Sequence, residues 1–311
     1  AYEQEFSPHA TVRCRLRDAG HILGSAIIEV WVTEHGRATK LVFSGDLGQP
    51  GRPILRDPTL IEETDILVVE STYGDRRHLD LAATEDEMIA IVEKTLYERG
   101  GNVIMPAFAV GRTQQVIYLL HRLACEGRLR PPKVFVDSPM ATEATRITRE
   151  HLELFDEEAR RLAGWQAQGK DIPYLRFTAS VEESMALNRM RSGAIIISAS
   201  GMCDAGRIKH HLRHNLDRPE CSILITGFQA QGTLGRRLVD GAKRVRIFGE
   251  EIDVRASIHT VGGLSAHADQ PALLAWTANF RHPPQQTFVV HGETSSALAF
   301  AEKLHAERGW N

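Results

Sequence analysis

The hydrophobic positions of this chain change their spacing near residue 65. Before it they alternate with polar ones: residues 12–17 read Val-Arg-Cys-Arg-Leu-Arg, with three apolar side chains on one side and three arginines on the other. A period of two is typical of a half-buried strand. Residues 27–32 and 40–43 continue the pattern, so the opening segment predicts antiparallel β structure.

After residue 65 the apolar residues form short uninterrupted runs, at 66–69, 103–105, 134–136, 195–197 and 223–225. Such runs indicate strands buried on both faces, hence a mostly parallel sheet covered by helices. The stretches 84–87 and 180–183 fit the capping box and predict helix starts. A hairpin-like stretch at 245–254 precedes a return of β-like sequence at 257–267, so the middle of the chain resembles an insertion into an outer α/β domain.

Composition narrows the function classes. The 311 residues are 42% hydrophobic and 25% charged, which is typical of a folded globular protein. A net charge of −3 argues against a protein that coats nucleic acid through bulk electrostatics, so any RNA binding must be local. The basic stretch 207–214 is one candidate, although a solvated helix face explains it equally well.

Location and redox state also follow from composition. No apolar stretch approaches the roughly 20 residues that span a bilayer, and no signal peptide is evident at the start, so we expect a cytoplasmic protein without membrane contact. Cys14, Cys125, Cys203 and Cys221 are far apart and form no C-x-x-C pair. We expect all four to be reduced and buried.

Five polar residues stand at the ends of β-like runs: His21, Asp46, Glu70, His267 and His291. Imidazole and carboxylate groups at strand ends are suited to holding zinc and to moving protons. Each residue alone also has a structural explanation, such as a Gly-His turn, an aspartate in a turn or a satisfied, partly buried histidine. Their joint occurrence favours a hydrolytic site.

The order, spacing and flanking residues of these five positions resemble the β-CASP branch of the metallo-β-lactamase fold. That branch contains RNA-processing nucleases such as the mRNA 3′-end endonuclease and ribonuclease J. The resemblance implies that His21 ligates a first zinc ion, Asp46 bridges two ions and His291 ligates the second. A histidine at position 291 favours the RNA branch over the DNA-repair branch.

Glu70 and His267 match the first two β-CASP motifs. The resemblance makes His267 the general acid that protonates the leaving oxygen, and Glu70 the carboxylate that orients it and favours its cationic form. The alternative is a buried Glu70 bonded to backbone amides, with His267 near a helix N-cap. We expect Glu70 and His267 to be hydrogen-bonded, and His21, Asp46 and His291 to converge on one cleft.

Further stretches of sequence extend the resemblance from about residue 18 to about residue 293, including 108–115, 137–140 and 227–234. They supply candidate RNA contacts. Amides of the 200–202 loop and the helix expected after it would hold a phosphate, Phe108 would stack on a base and Arg112 would contact the RNA backbone. Structural roles are open for each of these RNA and phosphate candidates: Ser265, Ser200, Gly201, Met202, Arg112 and Phe108.

One departure from the family pattern is large. The His-x-His-x-Asp-His loop that supplies the remaining metal ligands is absent, and His9 is the only histidine before His21. We therefore expect this chain to be a fragment that lacks roughly the first third of a family member, with at most one weakly held zinc ion instead of two.

The sequence thus predicts an α/β protein with two domains. Residues 1–75 and 252–311 would form a partial metallo-β-lactamase αββα sandwich, and 76–251 an inserted β-CASP domain with a parallel sheet flanked by helices. The intact protein would be a zinc-dependent ribonuclease that cuts single-stranded RNA internally, while this chain alone would be inactive. A non-catalytic RNA-binding or scaffold subunit is the alternative, and an exposed apolar face would favour a homodimer.

Overall fold

The computed structural model describes residues 2–160, 172 and 174–310. The chain divides into two compact units. The first comprises Ala1–His78 and Ala266–Asn311, and the second comprises Leu79–Ser265.

The first unit is built on a six-stranded sheet of order β1-β2-β3-β4-β5-β14. The strands are β1 Glu5–His9, β2 Val12–Asp18, β3 Ala26–Glu34, β4 Arg37–Phe43, β5 Ile66–Glu70 and β14 Gln286–Val290. The first four strands pair antiparallel as the alternating pattern predicts, and β5 pairs in parallel with β4 and β14. Two helices complete the unit, α7 Gln270–Thr277 and α8 Thr294–Arg308.

One face of this sheet carries the core of the unit. Ile27, Val42 and Leu67 are fully buried there, in one cluster with Trp276 of α7 and Phe300 of α8. Cross-strand pairing puts the three arginines of β2 on that same face, because Arg17 is opposite Ile27. Two of the arginines are accommodated by a buried carboxylate, since Glu29 is 1% exposed and lies 2.7 Å from Arg15 and 3.5 Å from Arg17.

The opposite face of the sheet is apolar and largely uncovered. One row of cross-strand partners runs through Leu16, Ile28, Phe43, Val68 and Phe288. Phe288 is 49% exposed and Phe43 37%. We call this row and its apolar neighbours the open sheet face.

The second unit contains a parallel sheet of order β13-β10-β6-β9-β7-β8. Its strands are β6 Val103–Pro106, β7 Lys133–Val136, β8 Leu175–Phe177, β9 Ala194–Ser198, β10 Ser222–Ile225 and β13 Ser257–Thr260, and a hairpin joins β11 Arg244–Ile247 to β12 Glu250–Asp253. The helices are α1 Leu81–Glu93, which continues into a π-helical turn Lys94–Glu98, α2 Arg112–Cys125, α3 Pro139–Glu150, α4 Val181–Asn188, α5 Ile208–Asn215 and α6 Leu234–Val239. Successive β9 residues alternate between two core clusters, Ile195 in one and Ile196 in the other, which is the two-sided burial predicted for this sheet.

Three local expectations need correction or comment. The capping box at Ser180 is present with Glu183, whereas α1 begins at Leu81 and is capped by Asp80, so Thr84 lies inside the helix. Its hydroxyl instead donates to the Asp80 carbonyl. All four cysteines are free, but Cys125 is exposed because it ends α2 at the surface.

The unit boundaries do not coincide with the predicted domain boundaries. Residues 252–265, which we assigned to the outer domain, include β13, and this strand pairs with β10 in the second unit. The division at 75/76 and 251/252 stays a prediction about family domains. Among the described residues, no helix has both the length and the apolar character needed to cross a membrane.

Candidate active site

Strand direction brings the candidate residues of the first unit to one edge of its sheet. β2, β4, β5 and β14 all run the same way, because β2 and β4 are each antiparallel to β3 and the other pairs are parallel. Their carboxyl ends are followed by His21, Asp46 and His291, and Glu70 is the last residue of β5. His267 reaches the same place from the loop before α7.

His21, Asp46 and His267 form the group that can hold a metal ion among the described residues, with ligand atoms all within 4.8 Å of one another. The ring centroids of His21 and His267 are 4.2 Å apart. His291 lies beside this group, its Nδ1 being 3.5 Å from Asp46 Oδ1. The expected convergence of His21, Asp46 and His291 is therefore present, and His267 shares the cluster.

His21 has a feature that favours metal binding. Its Nδ1 is buried and makes no hydrogen bond within the described part of the chain. Burial, followed by the charge of His267, lowers the pKa of His21 to about 4. At neutral pH the ring is therefore neutral with an unpaired nitrogen, the form in which imidazole ligates metals. Two imidazoles and a carboxylate are a donor set that suits zinc.

Glu70 anchors His267. The carboxylate is 1% exposed, and both of its oxygens lie 3.2 Å from His267 Nδ1. It also accepts the backbone N–H of Leu47 at 2.6 Å and that of Thr72 at 3.3 Å. The expected hydrogen bond is present together with the amide contacts of the alternative interpretation. Because Nδ1 donates to the carboxylate, the lone pair or proton on Nε2 of His267 is available for chemistry.

Two neighbouring residues that the sequence reasoning missed hold these histidines. The Thr72 hydroxyl lies 3.0 Å from the His291 carbonyl, to which it donates, and 3.1 Å from Nδ1 of the same ring, from which it can therefore accept. His78 Nε2 lies 2.8 Å from the His267 carbonyl oxygen, and its backbone N–H donates to Asp269 at 3.0 Å. The sequence signal that could have identified Thr72 and His78 was their position shortly after Glu70.

In the second unit, the RNA candidates lie along the carboxyl edge of the parallel sheet. Phe108 follows β6, the 200–202 loop follows β9 and Ser265 follows β13. Ligands of parallel sheets bind at this edge. Phe108 is 47% exposed and its ring lies against Gly201, where an added Cβ would come within 2.8 Å of the ring.

The 200–202 loop differs in one respect from the expectation. Helix α5 begins at Ile208, so the loop is not its first turn, and a helix dipole does not act there. The Ser200 N–H is bonded to the Ala205 carbonyl, whereas the amides of Gly201 and Met202 have no acceptor among the described residues. Met202 is half-buried, whereas Gly201 is buried beneath the Phe108 ring.

Two of the RNA candidates, Arg112 and Ser265, are largely engaged in the fold. The Arg112 guanidinium donates to the Leu264 carbonyl, which ties α2 to the loop after β13. Ser265 is 4% exposed. A role for either in RNA contact stays a prediction.

Two family models match the chain. Residues 113–238 match the Beta-Casp domain, and residues 251–311 match a Zn-dependent metallo-hydrolase RNA specificity domain. Both matches agree with the architecture predicted from the sequence.

Curated relatives extend the similarity over nearly the whole chain. The chain is 39% identical to "Ribonuclease TTHA0252" of Thermus thermophilus, covering 94% of the chain and 65% of the relative. It is 30% identical to an "RNase J-like protein" of Methanocaldococcus jannaschii, with coverage of 96% and 68%. It is 31% identical to "Transcription termination factor FttA" of Thermococcus kodakarensis, with coverage of 96% and 47%. The chain thus spans 47% to 68% of the length of these relatives. It belongs to the β-CASP family of metallo-β-lactamase-fold nucleases.

Proposed function

We propose that the protein containing this chain hydrolyses phosphodiester bonds in single-stranded RNA with the help of zinc. The observation that carries the proposal is the cluster of His21, Asp46 and His267, in which a buried imidazole nitrogen has no partner among the residues that the structure describes. The names of the relatives, a ribonuclease and an RNase J-like protein, support RNA as the substrate.

Each residue has a defined task in this proposal. Bound zinc supplies Lewis-acid polarisation of the phosphate and a hydroxide nucleophile at neutral pH. His21, Asp46 and His291 would hold it. His267, oriented through Nδ1 by Glu70, places Nε2 to protonate the leaving oxygen. Thr72 fixes the His291 ring so that its Nε2 points away from the hydroxyl.

The carboxyl edge of the second sheet would bind the RNA. The amides of Gly201 and Met202 suit a phosphate, and the adjacent exposed ring of Phe108 suits a base. A phosphate beside a stacked base is the repeating unit of a single strand, which favours single-stranded over duplex RNA.

The finer features are proposals as well. We propose internal cleavage, two zinc ions in the intact protein, a cytoplasmic site of action and homodimerisation through the open sheet face. The three ligands named above, His21, Asp46 and His291, are too few for two ions, so the 311-residue chain alone would be inactive. The chain would then keep its RNA-binding surfaces although it could not cleave RNA.

The test compares this chain with the product of the complete reading frame, using a fluorescent circular single-stranded RNA and added zinc. We expect the longer protein to linearise the circle, which only an endonuclease can do, and a chelator to stop it. Its Asp46→Ala variant should lose activity, while a matched exchange of the exposed Asp57 to alanine should not. The 311-residue chain should leave the RNA intact.

Several outcomes would contradict parts of this proposal. Chelator-sensitive cleavage by the 311-residue chain would overturn its predicted inactivity. Full activity of the longer Asp46→Ala variant would overturn the metal mechanism. Binding of RNA without cleavage by the longer protein would favour the alternative of a non-catalytic RNA-binding subunit.

A further inference from the structure

Three of the six basic side chains in the stretch 207–214 are committed to the fold. Arg207 and the fully buried His211 both bind the buried carboxylate of Asp137, each at 2.7 Å. Arg213 pairs with Glu250 at 2.7 Å. The stretch is therefore not the uniform basic surface that its sequence suggests, and its capacity for RNA rests on the side chains that remain.

Two of those side chains meet an exposed aromatic ring. Phe248 is 48% exposed, its ring centroid is 4.5 Å from that of His210 with a tilt of 34°, and Lys209 Nζ is 5.0 Å from the same centroid. Lys209 has no ion pair among the described residues. The nearby carboxylate of Glu250 is already paired with Arg213, so the cation of Lys209 is available.

The backbone at Phe248 is unusual for an aromatic residue. Phe248 and Gly249 form the two-residue turn of the β11–β12 hairpin, with φ of +52° and +84°. Such turns favour Asn-Gly, and a positive φ is uncommon and unfavourable for a bulky residue. A strained aromatic side chain that stays half exposed contributes little to the core, which indicates a use outside the fold.

We propose that Phe248, His210 and Lys209 form a contact for single-stranded RNA, distinct from the carboxyl-edge residues. An unpaired base would stack on the Phe248 and His210 rings, and Lys209 would bind an adjacent phosphate. Aromatic stacking beside a cation is the general chemistry of single-strand binding. The inference rests on the proposed function, because it takes RNA as the ligand.

The experiment measures binding of a labelled single-stranded oligoadenylate RNA to the 311-residue chain by fluorescence anisotropy, in chelator so that no cleavage occurs. Phe248→Asn is the central variant, because asparagine suits the turn and cannot offer an aromatic face. We expect affinity to fall about fivefold to a hundredfold, the range for one stacked base, with an unchanged or higher melting temperature. Phe248→Tyr should bind like the parent.

Charge is tested separately. Lys209→Ala should weaken binding and reduce the slope of log affinity against log salt by about 0.7, the value for one phosphate of a single strand. Lys133→Ala is the matched control, since this exposed lysine at the start of β7 also lacks an ion pair among the described residues. Lys133→Ala should change neither the affinity nor its salt dependence.

The outcomes separate this inference from the proposed function. If the parent binds the RNA and Phe248→Asn binds within twofold of it, the Phe248 contact is wrong while RNA binding stands. An equal loss for a duplex of the same length would overturn stacking on an unpaired base. If the parent binds no single-stranded RNA, both the contact and the RNA-binding part of the proposed function fail.

Discussion

At the scale of single residues, His267 occupies a position with two chemical uses. Its Nδ1 is held by Glu70, and a carboxylate behind a histidine is found both in general acids and in zinc ligands. The short distances to His21 and Asp46 are compatible with either. Substitution of His267 distinguishes the two uses, because it lowers the zinc content only if His267 is a ligand.

If the longer protein of the proposed function is active, we predict that its His267→Ala variant cleaves RNA about a hundredfold to ten-thousandfold more slowly without loss of bound zinc. Glu70→Gln should lower the rate less, because the ring keeps one hydrogen bond. Single-turnover kinetics and metal analysis of the same samples provide the measurement. Zinc content that falls in parallel with the rate would identify His267 as a ligand instead.

His21 predicts a pH dependence of stability in the metal-free chain. Its folded pKa of about 4 lies below the unfolded value near 6.5, so the folded state binds the proton less tightly. Stability is therefore unaffected above about pH 6.5 and declines as the pH falls from there towards 4. At pH 5 the loss from this one group would be about 2 kcal/mol at most.

Urea unfolding in chelator at pH 7.5 and pH 5 measures this loss. His21→Gln should lose less stability than the parent over the same interval, because glutamine does not titrate. Other histidines with lowered pKa values, including His121 and His259, contribute equally to both proteins and cancel in the comparison. Identical pH profiles for the two proteins would contradict the burial of a neutral His21.

The sequence was informative about which residues meet, and less so about what supports them. His21, Asp46 and His291 converge because they follow strands that run in one direction, a fact that hydrophobic patterning can predict. Thr72 contacts His291 across 219 positions of sequence, and its role depends on the pairing of β5 with β14. No local pattern distinguishes that hydroxyl from an ordinary strand-end threonine.

At the scale of elements, two loops are held together at Gly48. This residue bridges to His267 and lies so close to the loop after β2 that an added Cβ would be 2.0 Å from the Gly20 carbonyl oxygen. Its N–H donates to the Ala19 carbonyl at 2.8 Å. The loop with Asp46 and the loop with His21 are thus in direct backbone contact, which sets the distance between these two candidate ligands.

We predict that Gly48→Ala lowers the free energy of unfolding by about 1–3 kcal/mol, the usual cost of forcing atoms into a packed site. Gly262→Ala is the control, because an added Cβ there meets only Leu79 Cδ1 at 3.8 Å. It should stay within about 0.5 kcal/mol of the parent. Chemical denaturation in chelator compares the three proteins, and equal stability of the Gly48 variant would mean that the two loops separate without cost.

Element types followed from the sequence more reliably than their limits. Four of the five apolar runs became strands of the parallel sheet in the second unit. The run 66–69 became β5 of the first unit, and the expectation that it is buried on both faces is wrong, because Val68 lies on the open sheet face. The sequence predicts that helix α1 starts at Thr84, whereas the helix starts at Leu81. Asp80 offers the same kind of N-cap acceptor as Thr84. Which of two such caps is used depends on how the preceding loop packs, and the local sequence does not determine that packing.

At the scale of the whole molecule, the most consequential feature is the open sheet face. The row Leu16, Ile28, Phe43, Val68 and Phe288 crosses five strands without a charged side chain, and none of these residues belongs to a core cluster. The alternating pattern of β2 showed that one side is apolar. It did not show that helices cover the arginine side, because that depends on Ile27 and Val42 of the neighbouring strands.

An uncovered apolar face of this extent is expected to drive association, because removing it from water contributes about 25 cal/mol per Å². We predict that the isolated 311-residue chain self-associates as its concentration rises, measured by sedimentation velocity. Phe43→Thr combined with Phe288→Thr should shift it towards monomer, since threonine suits a strand and presents a hydroxyl. Phe248→Asn, which removes an equally exposed aromatic ring from the second unit, should leave association unchanged. A parent that stays monomeric throughout, or a dimer that both proteins form equally, would show that this face does not mediate assembly of the chain.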